Sequence, residues 1–363
     1  MFTRAVRLLS LSVLVLLAAT SLSVLAQEEP QTLVVSTFGF NLDVIEENVT
    51  RPFEEMYNVD VVYETGNNAE RLTRLESLGA ESDVDVVHFA GAYTQRAKEA
   101  GLLQPIDPAL LENYDELYSW AQDPLGDNAG IAYAINSYLL MYRSDLIEEP
   151  LTSWADLLRE DLAGYVTIPD IATTFGPATL IMLNRALTSD GSEATPEAGE
   201  AVEIDYEAEA AWEALPALAE NLVTTYRVSS EMVTLVQQEE AWAAPYASFT
   251  IANLLDTGLE IERVVPVEGI VGDPIVVSIT ANADNVELAH RYVDWIISHD
   301  VQEAEALDLI DSPTNMTVEL PEDICMLLPC GDELIDSLIF LDQAILEENL
   351  DAWIERWNEI MLQ

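Results

Sequence analysis

The chain has 363 residues, half of them hydrophobic, and carries 66 acidic against 14 basic side chains, a formal charge of -52 with Lys98 the only lysine. Half-apolar composition excludes a disordered chain, and the length suffices for two domains with cores of their own. A polyanion of this kind repels nucleic acid and anionic membranes, so neither is expected as a partner; the charge suits a surface kept hydrated at high salt, or one that draws in cationic ligands.

Arg4 and Arg7, the uncharged run from Leu8 to Leu17 and the small residues ending in Val24-Leu25-Ala26 have the three-part layout of a secretory signal peptide. Residues 1–26 are therefore expected to be removed, and the product to be exported, periplasmic or extracellular, and soluble. No cysteine near the cut offers a lipid attachment point, and no later stretch is long and apolar enough to cross a bilayer.

From Thr32 the pattern alternates. Strands are predicted over Leu33 to Thr37, Val59 to Glu64 and Val84 to Phe89, and helices over Asp43 to Tyr57, Ala69 to Leu78 and Tyr93 to Ala100, an order that implies a parallel sheet with helical crossovers. Within "VDVVYETGNNAERLTRL", residues 59–75, β-branched Val59, Val61 and Val62 give way to Leu72 and Leu75 at helical spacing, and Asn67 or Asn68 can cap the helix between them. Such a strand-to-helix turn also lies where an open α/β sheet binds ligands. "GIAYAINSYLLMY", 130–142, reads as strands leaving the first lobe.

A second alternation follows: a capped amphipathic turn in "TSWADLL", a strand in "GYVTIPD", and a helix in "FGPATLIMLNRAL" with Pro177 in its tolerant first turn. Ser189 to Glu209 lacks clear periodicity and is expected to be an exposed loop or a poorly packed helix start. "VVPVEGIVGDPIVVSI", 264–279, reads as a strand returning to the first lobe, followed by helices over Val286 to Ser298 and from Asp332 onward. Trp353 and Trp357, at i and i+4, read as a packing stripe. Cys325 and Cys330 are the only cysteines and suit a small-loop disulfide in an exported protein. Neither they nor the three histidines have metal-ligand spacing, so no metal and no cofactor is expected.

In order, "ETGNNAERLTRL", "DVVHFAGAYTQRAKEAGLLQPID", "TSWADLLREDLAGYVTIPD", "PVEG", "ELAHRYVDWIISHDVQEAEA" and "FLDQAILEENLDAWIERWNEI" resemble the extracellular solute-binding proteins of ABC transporters, in particular the spermidine/putrescine-binding type. The resemblance is collinear over nearly the whole chain after residue 26. It implies an α/β, two-lobed periplasmic-binding-protein (Venus-flytrap) fold of type II with two interlobe crossings. The expected division is lobe 1 over 27–134 and 263–312, lobe 2 over 135–262, and a C-terminal segment, 313–363, packing on lobe 2. It also implies a monomer that closes on a small solute and delivers it to a membrane permease.

On this resemblance the turns at "TFGF", "TGNN", "FAGAY" and "PDIATTFG" and the "APY" segment line the cleft. They place Thr37, Phe38, Asn67, Ala90, Tyr93, Asp170, Thr173 and Tyr246 as ligand-binding residues. Relatives of this type hold ammonium groups with carboxylates and sandwich the methylene chain between rings. Here the first turn has "STFGF" in place of a Trp and an acid, Thr173 stands where a second acid is expected, and ungapped counting past Glu268 puts Ile275 where another is usual, with Asp273 as a possible substitute. Asp170 is the best remaining carboxylate, with Tyr93 and Tyr246 as aromatic walls. The expected solute is a small cation such as a polyamine; the alternative is a zwitterionic, neutral or phosphonate-like solute. An enzyme is not expected: the rival reading, a secreted hydrolase, lacks G-x-S-x-G and H-E-x-x-H, and the absence of a Tyr-Tyr pair argues against ferric ion.

Overall fold

The computed structural model describes residues 30–189 and 202–361. The signal segment and most of the loop expected over Ser189 to Glu209 lie outside the described residues. Eleven strands form one mixed sheet. They are β1 (Gln31–Thr37), β2 (Val59–Thr65), β3 (Val86–Ala90), β4 (Leu103–Gln104), β5 (Ile131–Arg143), β6 (Val166–Pro169), β7 (Leu222–Tyr226), β8 (Ala243–Ala247), β9 (Ile261–Val264), β10 (Val271–Thr280) and β11 (Ser312–Pro313). The main path runs β2-β1-β3-β10-β5-β8-β6-β7. β1 is parallel to β2 and β3, and β6 is parallel to β7 and β8, as helical crossovers require.

Two long antiparallel strands join these parallel halves. The first part of β5 pairs with β10 and β11, and its second part, from Tyr138 on, with β8 and β9. "GIAYAINSYLLMY" is thus one strand, whereas the return segment splits into β9 and β10 around a turn at 265–270. A register shift between Ile275 and Val276 bends β10 where it meets β5.

The helix expected over Asp43 to Tyr57 is in three pieces: Leu42–Ile45, a π-helical turn Glu46–Thr50, and Arg51–Tyr57. Pro52 is the reason, since it has no N–H for the ladder and its ring crowds the preceding turn. The "TSWADLL" turn is 3-10 rather than α, capped by Ser153 Oγ on the Ala155 N–H and held by Glu268, which accepts from Ser153 Oγ and the Trp154 N–H. The helix Gly176–Thr188 begins as expected, with Pro177 in its first turn. Its Gly176 is obligatory because a Cβ there would lie 2.3 Å from the Asp170 carbonyl oxygen.

The two largest buried apolar clusters pack against the sheet. The larger includes Leu33, Phe53, Val86, Leu139, Tyr246, Val277 and Tyr292 and extends to Leu328, Ile335 and Leu338. The other gathers Tyr138, Trp154, Leu180, Trp212, Trp353 and Trp357. The C-terminal segment therefore contributes to both clusters. Cys325 and Cys330 are bonded to each other. Among the described residues no helix is long and apolar enough to cross a membrane.

Candidate functional site

β1 and β3 end side by side, and their following turns open onto a cavity of about 250 Å³. Thr37, Phe38 and Phe40 reach it from the β1 turn, Ala90 from the end of β3, and Asn68 from the start of the helix Asn68–Leu78. The crossing strands supply Tyr133 and Asn136 from β5 and Asp273 and Ile275 from β10. The helix His299–Leu307 supplies Glu305, and the segment entering β11 supplies Asp311. From the other side Thr174 and Phe175 come from the turn after β6, and Phe249 from the turn after β8. Phe40 and Phe249 meet edge-on across the opening, with centroids 5.7 Å apart.

The polar groups of the lining divide sharply. Thr37 Oγ1 is engaged by His88 Nδ1 at 3.3 Å, and Asn68 Oδ1 accepts from Arg71 Nη2 and from the Ala90 N–H. By contrast, Asn136 Oδ1, Glu305 Oε1 and Asp311 Oδ1 are sealed from solvent without a hydrogen-bond partner. Asn136 and Asp273 are each only 8% exposed. Burial pushes the Asp273 carboxyl up to about 7, against the opposing pull of the Gly91 N–H, which donates to it. Burial likewise raises Glu305 to about 7, with Asn48 donating to it and Asp308 repelling it. Asp311 is raised well above the ordinary range by burial and by the neighbouring charges of Glu305 and Asp273.

Among the described residues, the one buried cation nearby is already committed. Arg71 is 2% exposed and donates to the carbonyls of Gly66, Ser36 and His88 and to Asn68 Oδ1. Its guanidinium lies 4.7 Å from the ring centroids of both Phe38 and Phe89. It therefore braces the β1 and β3 ends and does not neutralise the carboxylates. Burial lowers it to about 10, still cationic at neutral pH, and holds His88 at about 3, neutral throughout the useful range.

Of the eight residues singled out in the sequence, Thr37, Phe38 and Ala90 line the cavity. Asn67 caps the next helix instead: its side chain accepts from the Glu70 N–H at 2.9 Å, while the Glu70 carboxylate takes the Asn67 N–H, and the lining position falls to Asn68. Tyr93 packs with Phe38 and Tyr133 against the cluster of Ala90, Ala134 and Ile275 and under the Arg96 guanidinium. Asp170 is paired with Arg227 at 3.3 Å and accepts from the Ala172 N–H, and neither it nor Thr173 is in the lining. Thr173 spends its hydroxyl on the Asp170 carbonyl. Tyr246 is fully buried in the larger core, since it points off β8 beside Ala244 on the packed face.

Sequence reasoning missed Glu305, Asp311 and the aromatic residues Tyr133, Phe175 and Phe249. Glu305 lies one helical turn from buried Val301, a spacing that turns its side chain inward.

A two-lobed α/β molecule whose halves share two crossing strands beside a pocket of this size has the fold of the type II periplasmic binding proteins. The chain belongs to the bacterial extracellular solute-binding protein family, whose model matches residues 48–326. Such proteins are the solute-binding components of ABC transporters. A spermidine/putrescine-binding periplasmic protein of Salmonella typhimurium is 24% identical over 275 residues, 72% of each chain. An ABC transporter structure from Clostridium perfringens is 30% identical, with a TM-score of 0.75 over 91% of this chain and 99% of that one. A spermidine/putrescine substrate-binding protein from Streptococcus pneumoniae has a TM-score of 0.73 at 17% identity, covering 90% and 99%. A fructose-6-phosphate-bound protein from Actinobacillus pleuropneumoniae reaches 0.66 at 21%, covering 92% and 99%. At these last two identities the likeness is one of fold alone.

Proposed function

We propose that the protein captures a small organic cation of the polyamine class in this cleft, as a monomer, and presents it to the permease of an ABC importer. The observation that carries the reading is the set of sealed, unpartnered oxygens on Asn136, Glu305 and Asp311 around one cavity. Orphaned acceptors call for a ligand that donates, and desolvated carboxylates call for one that is positively charged. Phe38, Phe40, Tyr133, Phe175 and Phe249 give the remaining wall an aromatic character that suits a methylene chain and its ammonium ends.

A bare metal ion is disfavoured, because among the described residues no three His, Cys, Asp or Glu side chains converge to hold one. A zwitterionic or anionic solute lacks a counter-charge, since Arg71 is spent on four protein acceptors. Native mass spectrometry of protein purified without refolding, followed by calorimetric titration with putrescine, spermidine and a panel of amino acids and sugars, tests the reading. Retention of a polyamine mass and heat with a polyamine alone are expected. Heat with an amino acid or a sugar and none with either polyamine would overturn the cationic assignment.

A further inference from the structure

Glu305 and Asp311 line two cavities at once. Besides the cleft, they border a second, smaller space of about 20 Å³, with room for about one water molecule, together with Tyr133 and Gln302. Each presents one sealed oxygen without a donor, Glu305 Oε1 and Asp311 Oδ1. Two ionised carboxylates cannot both be stable there, because neither unpaired charge recovers its lost hydration and each repels the other.

Among the described residues the surroundings offer no alternative cation. On its own helix Glu305 faces Asp308; from the π-helical turn comes the amide of Asn48. Asp273 of β10 adds negative charge next to Asp311. Tyr63 of β2, Tyr133 of β5 and Tyr292 of the helix Val286–Ile296 are phenols kept neutral by burial. Arg71 acts on Tyr133 from across the β1–β3 ends and is otherwise committed. Burial accordingly raises both acids, Glu305 to about 7 and Asp311 further.

We propose that Glu305 and Asp311 hold an exchangeable proton in the ligand-free cleft and release it to solvent when an ammonium group of the solute takes its place. The inference rests on the cationic reading above and adds its coupling. The O–H bond of one carboxylic acid breaks, the proton leaves to water or buffer, and the carboxylate keeps the electron pair and accepts from the incoming N–H. For the ammonium group that replaces the proton, one positive charge leaves and one arrives. Capture is therefore an exchange of H⁺ for a cation and tightens as pH rises. Alkylammonium groups ionise near 10, so a polyamine probe keeps its charge across the range where the pair titrates.

The test uses spermidine and the intact protein. In calorimetry near pH 6, repeated in buffers of different ionisation heat, the exchange predicts release of about one proton per bound spermidine and affinity that weakens up to about tenfold per pH unit below 7. In parallel, infrared titration of the ligand-free protein, recorded in an Asp273→Asn background to remove that buried carboxyl, should show a protonated carboxyl that is lost on adding Glu305→Gln or Asp311→Asn, with circular dichroism confirming that each variant folds. Spermidine binding with pH-independent affinity and no buffer-dependent heat would overturn the exchange and leave the polyamine reading standing. Absence of the carboxyl signal in the Asp273→Asn background would overturn it as well. A carboxyl signal that both variants remove, together with no spermidine binding at any pH, would sink the polyamine reading and uphold the proton-holding pair.

Discussion

At Asp273 and Asp170 the same side chain meets opposite surroundings. Asp170 is satisfied by Arg227 and by its own turn, so Asp170→Asn is expected to leave solute affinity unchanged within about twofold, the scale of exposed ion pairs. Asp273 is buried at the cavity wall, its carboxyl pushed up to about 7. Its folded pKa thus exceeds its unfolded value of about 4, and the folded state binds the extra proton between them. The associated stability is fully present below about pH 4 and is lost as pH rises through about 7. Asp273→Asn removes that dependence. Between pH 5 and pH 8 the ligand-free wild type should lose on the order of 2 kcal/mol more than the variant in parallel urea titrations, and equal losses would show that Asp273 is not desolvated as described.

Among the elements, the C-terminal helix Gln343–Met361 shows how far a pattern reaches. Trp353 and Trp357, 6% and 5% exposed, enter the core with Trp212, and Arg356 forks onto Glu209 with two hydrogen bonds of 2.8 Å while lying over the Trp212 ring. The stripe was legible from i, i+4 spacing because burial against one neighbouring surface is what that spacing encodes. Trp353→Ala should cost about 3–5 kcal/mol in a denaturation experiment. The strand-to-helix alternation of the first lobe was legible for the same reason, as was the Asn cap. The site was less so, because its acids depend on register rather than local pattern. Counting past Glu268 arrived at Ile275, which does line the cavity, but Asp273 lies two residues earlier on the same face of β10 and lines it too. Glu305 and Asp311 sit far along the chain from the turns that announce a cleft, and only the pairing of β11 with β5 brings that segment beside Ala134 and Ile135.

For the molecule as a whole, the formal charge of -52 and the single sheet pull in different directions. Repulsion among surface carboxylates weakens the compact state at low ionic strength and is screened over distances of about 3 Å in molar salt. The ladder through β5 and β10 has the contrary effect of tying the parts together. In these strands backbone hydrogen bonds cross the junction between the two parallel halves, so neither half can melt without stripping partners from the other. The expected thermal behaviour is one calorimetric transition, with van't Hoff and calorimetric enthalpies equal, whose midpoint rises with added salt. Two resolved transitions would contradict a shared ladder. The same continuity bears on dissection of the protein: β5 gives its first part to one half and its second part to the other, so a fragment cut to contain one binding wall forfeits half of the strand on which that wall is built.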